Sequence, residues 1–390
     1  MSRPEGRGGS VLGSLSEADF TRRYWQREPL LVRGALPAAI GLVDGDELAG
    51  LACEDGVDAR LVIHDGEHDA WLCEDGPFAE ARFATLPQRG WTLLVQAVDQ
   101  HLAGVAALHE RFAFLPRWRL DDVMVSYASD GGGVGPHFDH YDVFLIQASG
   151  ARRWQIGQHC DAASALRDHP RLKLLADFQP RAQHDLQAGD MLYLPPGIAH
   201  QGTALGADCI TCSVGFRAPS HGELLQGAAA RLAEMLPEAA RYRDSVPAID
   251  ADPYCINAAA LRQVRTIWDS LAREHIDAAL AQAFGCQLTE PRHPERIGER
   301  APLRDPDTLA RRVAGRGSVP LVHDPASRFA YALDGEHALL FVDGEAYRTS
   351  AVLARGVCHA RVAWRELRDE HDRAVLLELL AQGSLVVRAR

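Results

Sequence analysis

The stretch Gly131-Gly132-Gly133-Val134-Gly135-Pro136-His137-Phe138-Asp139 decides how the chain is read. Its glycine-rich half delivers the chain into an extended segment. Neither a Lys-Ser/Thr pair nor a helix follows, so it is not a phosphate loop. His137 and Asp139 stand two residues apart, and in a strand such side chains leave on one face. One imidazole and one carboxylate on a common face are two adjacent metal-ligand positions. A third ligand has to come from another strand. Met191-Leu192-Tyr193-Leu194-Pro195-Pro196-Gly197-Ile198-Ala199-His200 offers it, because a strand ends at the two prolines and His200 follows the turn.

Two histidines and a carboxylate form the facial triad of non-haem iron(II) oxygenases, which leaves positions open for a bidentate 2-oxo acid and for dioxygen. A zinc hydrolase can use a similar set, whereas a structural metal site is usually closed. A 2-oxo diacid also needs a cation for its distal carboxylate. Arg152-Arg153-Trp154-Gln155-Ile156 lies one hairpin further on. Alternation puts Arg152, Trp154 and Ile156 on one face and Arg153 and Gln155 on the other. The face with two large apolar residues belongs to the interior, so Arg152 is the candidate, its guanidinium able to hold a carboxylate bidentately.

The same alternation groups Asp122, Met124, Ser126 and Ala128, and Ser126 is expected to donate to the same carboxylate. It also groups His137, Asp139, Tyr141 and Val143, and turns His140 and Asp142 away as supporting or surface residues. The lone Cys209-Ile210-Thr211-Cys212 points its thiols to opposite faces of a strand, which suits neither zinc nor redox chemistry. His159, His169 and His184 have no ligand-like spacing and read as surface histidines.

Working outward, short β-branched and aromatic runs fill residues 121–216. Strands are expected at 123–128, 138–147, 152–156, 185–186, 191–194 and 209–216, interrupted only at 161–175. Many short strands with turns between them indicate a sandwich or barrel. Before them, Ser16 caps a helix running toward Gln26, 29–32 is a strand, 46–52 a helix, 59–63 a strand, and 91–102 an apolar stripe read as a helix. After Pro219 the strands give way to helices at 222–236, 257–274 and 276–284, with little aromatic core of their own, which reads as a dimerisation bundle. Four prolines within 288–306 mark a linker. A helix at 307–314, strands at 329–333 and 338–342, the turn Asp343-Gly344, a helix at 372–381 and a strand at 385–387 then fit a small winged-helix-like domain.

The divisions expected are therefore 1–219, with a barrel core over about 105–217, then a helical dimerisation region at 220–290 and a winged-helix-like domain at 301–390. The chain has 390 residues, 47% of them hydrophobic and 24% charged, enough to bury several cores. Its net charge of −12, from 53 acidic and 41 basic residues, argues against a general nucleic-acid binder. From Ala301 to Arg390 there are 13 arginines against 12 acidic residues, whereas a DNA-reading winged helix needs a basic face. No sequence-specific nucleic-acid binding is expected. Residues 1–10 read as a loose tail, without a signal peptide or anchor. No apolar run approaches the roughly 18 residues of a membrane span. Eight scattered cysteines suit a reduced, cytoplasmic setting.

The chain resembles a known family. Tyr24-Trp25-Gln26-Arg27-Glu28-Pro29-Leu30-Leu31, residues 131–142, 150–154 and 194–200, and Ser213-Val214-Gly215-Phe216-Arg217 together resemble the JmjC-type ribosomal oxygenases. They are most similar to the bacterial arginine hydroxylases of large-subunit ribosomal protein sixteen. The resemblance implies a double-stranded β-helix (jelly-roll, cupin/JmjC) barrel, a helical dimerisation region and a C-terminal winged helix. It implies Fe(II) held by His137, Asp139 and His200, 2-oxoglutarate held by Arg152 and Ser126, and O2 as oxidant. Eukaryotic members carry Lys where Arg152 stands and hydroxylate histidine, so the arginine branch is favoured, with a histidyl hydroxylase of another ribosomal protein or a non-catalytic cupin-type metal-binding module as the alternatives. The implied reaction turns 2-oxoglutarate into succinate and CO2 and places a hydroxyl on C-3 of an arginyl residue. The target guanidinium would meet Asp122, which shares its face with Met124 and Ser126, while Asp121 faces out. Tyr141 would stack on it, and Ser213 would accept a further hydrogen bond.

Overall fold

The computed structural model describes residues 10–243, 256–299, 305, 308, 311, 313 and 319–388. The expected tail lies, apart from Ser10, outside the described residues. So does most of the expected 307–314 helix, of which Thr308, Arg311 and Val313 are helical. The chain divides into two compact units, Met1–Ala218 and Pro219–Arg390.

In the first unit, α1 (Glu17–Arg23) is capped by Ser16, whose hydroxyl accepts from the Asp19 amide. It stops before Gln26, which adopts φ 58°. α2 (Gly45–Cys53) begins with a capping box formed by Asp44 and Glu47. Two four-residue helices, α3 (Glu80–Phe83) and α4 (Ala103–Ala106), complete the helical part. The strands are β1 (Leu30–Val32), β2 (Ala59–Asp65), β3 (Ala70–Asp75), β4 (Trp91–Val95), β5 (Leu120–Ala128), β6 (Asp142–His159), β7 (Ala182–Gln187), β8 (Met191–Leu194) and β9 (Ile198–Phe216). They form one antiparallel system in the order β1-β8-β6-β9-β5-β4-β2-β3, with β7 beside β6.

The long pair β6 and β9 builds the barrel. The first half of β6 pairs β8 through Val143↔Leu194 to Ile146↔Met191, and the second half pairs β7 through Ala151↔Gln187 to Ile156↔Ala182. β9 accompanies both halves, with register shifts between Gln147 and Ala151. Irregularities of this kind bend a strand and sharpen its twist. Each long strand thereby serves two sheets, the arrangement of a double-stranded β-helix.

Three expectations are corrected. The apolar stripe at 91–102 is not a helix: Trp91–Val95 is β4, followed by a 3-10 turn at Val98–Gln100. β4 is hydrogen-bonded on both sides, by β2 and by β5, so pairing overrides a spacing compatible with either structure. The strand expected from Phe138 begins only at Asp142, and His137 makes a single bridge, to His200. The last strand begins at Ile198, eleven residues before the 209 expected for its start, so His200 sits within β9.

Asp142 is neither a surface residue nor solvated. It is fully buried. The Tyr193 hydroxyl donates to its Oδ1 at 2.6 Å, and Gln26 Nε2 and Arg119 Nη2 donate to Oδ2 at 3.1 and 3.2 Å. Burial raises its pKa, against the pull of Tyr193, Gln26 and Arg119. Trp25 stacks on Tyr193 at 5.9 Å between centroids. The Tyr24–Pro29 segment is thus fastened to the outside of the barrel, over a core that includes Phe20, Phe112, Phe144 and Phe216.

The second unit opens with α5 (His221–Met235), α6 (Ala258–Asp269) and α7 (Arg273–Thr289). α5 and α7 pack closely: a Cβ at Gly227 would stand 3.2 Å from that of Ala283. Next come β10 (Val319–His323), β11 (Phe329–Asp334), β12 (His337–Val342), β13 (Glu345–Ser350), α8 (Ala351–Cys358), β14 (Arg361–Val362), α9 (Glu370–Gln382) and β15 (Leu385–Val387). They share a core with Leu340, Leu353, Val357, Leu376 and Leu379 at its centre. β10, β13 and α8 were not expected from the sequence. The linker also starts later than residue 288, because α7 runs to Thr289 and the Thr289 hydroxyl accepts from the Gly344 amide at 3.3 Å. Among the described residues no helix is long and apolar enough to cross a membrane.

Candidate active site

The glycine-rich loop runs so close to its neighbours that side chains are excluded. A Cβ at Gly133 would lie 2.3 Å from the Gly202 carbonyl oxygen of β9. Gly135 adopts φ +77°, and a Cβ there would lie 2.4 Å from Leu174 Cδ2. This loop sets His137 against His200 in an antiparallel bridge, with N···O distances of 3.0 and 2.8 Å. Outside any ladder, the Asp139 carbonyl accepts from the Gly197 amide at 2.8 Å, which ties the two motifs together a second time.

One ligand atom from each of His137, Asp139 and His200 lies within 4.8 Å of the other two. His200 Nε2 and Asp139 Oδ2 are 3.6 Å apart. The Nδ1 atoms of His137 and His200 each stand 2.9 Å from a backbone carbonyl, of Gly135 and Ile198. A carbonyl only accepts, so both Nδ1 atoms carry the proton and both Nε2 lone pairs face the cluster. Burial holds the His200 pKa down to about 4, with His137 adding to the effect and Asp139 opposing it. A neutral imidazole is what a metal requires. Two imidazole nitrogens and a carboxylate oxygen, with no fourth side chain joining the cluster among the described residues, fit a divalent metal with open positions.

Arg152 lies on the same interior. The face expected for it agrees with its burial: Arg152, Trp154 and Ile156 are each 5–7% exposed. Arg153 points outward instead, where Asp185 receives it bidentately at 2.8 Å for both bonds. Arg152 Nη1 donates to Ser126 Oγ at 3.3 Å, and Nε lies 3.4 Å from Cys209 Sγ. Its Nη2 is buried with no partner among the described residues. A buried guanidinium without a carboxylate is costly, so the cavity fits an anionic ligand. Sequence reasoning missed the polar residues around it. Gln147 is fully buried; it accepts from the Thr211 hydroxyl at 3.1 Å and reaches Cys209 Sγ at 3.4 Å. Strand alternation was the available signal, since Ser126, Thr211 and Gln147 form one cross-strand row.

The residues expected at the site mouth are partly brought together. Met124 stands directly opposite Ser213, which is buried. Asp122 is buried and accepts from the Ala97 amide at 2.9 Å. A register shift between Leu120 and Val123 interrupts the simple alternation assumed for the Asp pair. Asp121 accordingly is not turned out into solvent: its Oδ1 accepts from Arg217 Nε at 2.9 Å. Strand parity does not carry Tyr141 either, because residues 138–141 are not a strand. Tyr141 is 43% exposed as a residue, yet burial of its hydroxyl and the charge of Asp139 hold the phenol well above its ordinary pKa. His140 is exposed, and both C-x-x-C thiols are buried and unpaired.

A double-stranded β-helix that holds two histidines, a carboxylate and a buried arginine in one barrel is the architecture of metal- and 2-oxo-acid-dependent oxygenases. A family model of the JmjC domain matches residues 107–224, and one of the ROXA-like winged helix matches residues 265–386. The chain belongs to the JmjC ribosomal oxygenase family. It is 37% identical over 305 residues, covering 76% of this chain and 77% of the relative, to the ribosomal protein uL16 3-hydroxylase of Escherichia coli strain K12. It is 39% identical over 209 residues, 53% of this chain and 51% of the relative, to a probable ribosomal oxygenase of Haemophilus influenzae. An X-ray structure of E. coli ycfD superposes with a TM-score of 0.79 at 32% identity, covering 95% of this chain and 98% of that one. A structure of the E. coli protein in complex with cobalt and 2-oxoglutarate gives 0.76 at 31%, covering 96% and 99%.

Proposed function

We propose that this protein is an Fe(II)- and 2-oxoglutarate-dependent hydroxylase that modifies C-3 of an arginyl residue in ribosomal protein uL16. The observation that carries the reading is the pairing of an open His137–Asp139–His200 cluster with the buried, unneutralised Arg152 inside one barrel. The activity of the E. coli relative supports the choice of substrate.

In this reading His137, Asp139 and His200 hold the metal, and Arg152 and Ser126 hold the distal carboxylate of 2-oxoglutarate. The metal, when bound, supplies the redox chemistry that couples O2 and decarboxylation of 2-oxoglutarate to oxygen insertion. The chain's own work is placement. The backbone carbonyls of Gly135 and Ile198 fix both imidazoles in one tautomer. Val143, Leu145, Ile156, Leu186, Leu192 and Leu194 line an interior that keeps water away. At the mouth, Asp122 is the carboxylate for the target guanidinium, Tyr141 and Met124 flank its plane, and Ser213 accepts from it.

The acidic surface, net −12, suits a basic ribosomal protein as substrate and a cytoplasmic setting without sequence-specific nucleic-acid binding. The protein acts as a homodimer. α6 buries no residue within its own chain, and Leu261, Val264, Ile267 and Trp268, 41–60% exposed, lie along one helical stripe. Succinate release from 2-oxoglutarate that depends on a uL16 peptide, with one oxygen gained by an arginine, is the test. Release without any peptide modification would reject the substrate.

A further inference from the structure

Trp154 is the large side chain between the two halves of the site. Along the β6–β9 ladder, Ile156 faces His200, Trp154 faces Gly202, and Arg152 faces Ala204. The Trp154 ring centroid is 5.9 Å from that of His200, and the Arg152 Cζ lies over the same ring, 5.7 Å from its centroid. Trp154 is 5% exposed, and its Nε1 is buried with no hydrogen-bond partner among the described residues.

Gly202 explains how the indole is seated. A Cβ at residue 202 would come within 2.8 Å of Trp154 Cη2 and Cζ3 and 3.0 Å of Cε3, so the benzo edge lies directly on the β9 backbone. The N–H belongs to the opposite edge of the ring. The side chains clustered with Trp154 (Val143, Leu145, Ile156, Leu186, Leu192 and Leu194) offer no acceptor. Buried indole N–H groups usually find one. Two orphan donors, Trp154 Nε1 and Arg152 Nη2, therefore stand in one apolar interior beside the metal-ligand cluster.

We propose that the Trp154 indole N–H is a direct hydrogen-bond donor to the distal carboxylate of the cosubstrate, beside Arg152. A carboxylate has two oxygens and about four lone-pair sites, enough for Arg152, Ser126 and Trp154 together. The indole adds a donor that carries no charge, so it satisfies the anion without a second buried cation. It also fixes the carboxylate from the side facing the metal ligands, which sets how far the 2-oxo end reaches. This inference rests on the reading of the barrel as a 2-oxoglutarate site.

The test uses the full chain loaded with Zn(II) and labelled with 15N at tryptophan. Adding 2-oxoglutarate should move the Trp154 indole proton downfield. Pyruvate, a 2-oxo acid without the distal carboxylate, should leave it in place. Trp154→Phe should weaken 2-oxoglutarate binding about tenfold, the size of one hydrogen bond to a charged group, with affinity for Zn(II) and for pyruvate unchanged. If the Phe variant does not fold, the resonance is identified in the unmutated chain by its paramagnetic shift with Co(II). An indole signal unmoved by 2-oxoglutarate that nevertheless binds, or a folded Phe variant with undiminished affinity, overturns the assignment of Trp154. Failure of the unmutated, Zn(II)-loaded chain to bind 2-oxoglutarate at all overturns the cosubstrate reading itself, and Trp154 with it.

Discussion

Replacing Arg152 by Met should have two opposite effects that a merely structural arginine would not produce. In the protein without ligand, the guanidinium is 5% exposed and faces no carboxylate among the described residues, with one contact to Ser126 at 3.3 Å and one to Cys209 at 3.4 Å. Methionine fills much of the same volume without a buried charge. Unfolding of the Met variant, free of metal and 2-oxoglutarate, should therefore be unchanged or need up to about 3 kcal/mol more than the parent. Binding should move the other way. A charge-assisted bidentate pair is worth about 1.5–3 kcal/mol, or about 10- to 150-fold in Kd for 2-oxoglutarate. Titration calorimetry on the Co(II)-loaded protein, with urea denaturation of the ligand-free protein, reads both quantities. Arg153→Ala is the control: it breaks an exposed pair with Asp185, costs at most about 1 kcal/mol, and leaves the Kd alone. A Met variant that unfolds several kcal/mol more easily yet binds 2-oxoglutarate normally would refute the reasoning.

His137→Ala, Asp139→Ala and His200→Ala should each abolish succinate formation and lower metal content after dialysis; normal turnover in any one of them removes that residue from the ligand set. Zn(II), Co(II) or Ni(II) should compete for the same atoms and inhibit, which added Fe(II) after chelation should reverse. Asp122→Ala should lose peptide hydroxylation by roughly 10-fold or more, the size of a charge-assisted bond, while peptide-independent turnover of 2-oxoglutarate persists; equal loss of both would place Asp122 in the fold alone, through its bond to the Ala97 amide. Val264→Asp with Trp268→Asp, on the exposed stripe of α6, should convert a dimer to a monomer in analytical ultracentrifugation, and an unchanged sedimentation coefficient would move the interface elsewhere.

The site was more legible than the fold around it. His137, Asp139 and His200 could be read because their spacing carries chemistry whatever the exact strand limits. Asp139 is two residues from His137 although the chain there is not a continuous strand. The inward face of Arg152 was legible by alternation because β6 is regular over 151–156 and buried on one side. The same rule failed at Asp121, where the register shifts; at Tyr141 there is no strand for it to act on, although the hydroxyl does meet Asp139. It was not extended to Gln147, whose polar side chain is fully buried in one cross-strand row with Thr211 and Ser126. The helix assigned to 91–102 was a genuine ambiguity: Trp91, Leu94, Val95, Val98 and Leu102 fit a helical face, and only the two neighbouring strands decide otherwise. Asp142 shows the same limit, since its partners Gln26, Arg119 and Tyr193 lie 23 to 116 residues away.

The most direct measurement is mass spectrometry of a uL16 peptide incubated with the Fe(II)-loaded protein, 2-oxoglutarate and O2, with fragmentation to locate any added oxygen. The account predicts one oxygen on the side chain of a single arginine, stoichiometric with succinate and absent with His200→Ala. A peptide left unmodified by protein that holds iron and consumes 2-oxoglutarate, or an oxygen found on another residue type, would contradict it.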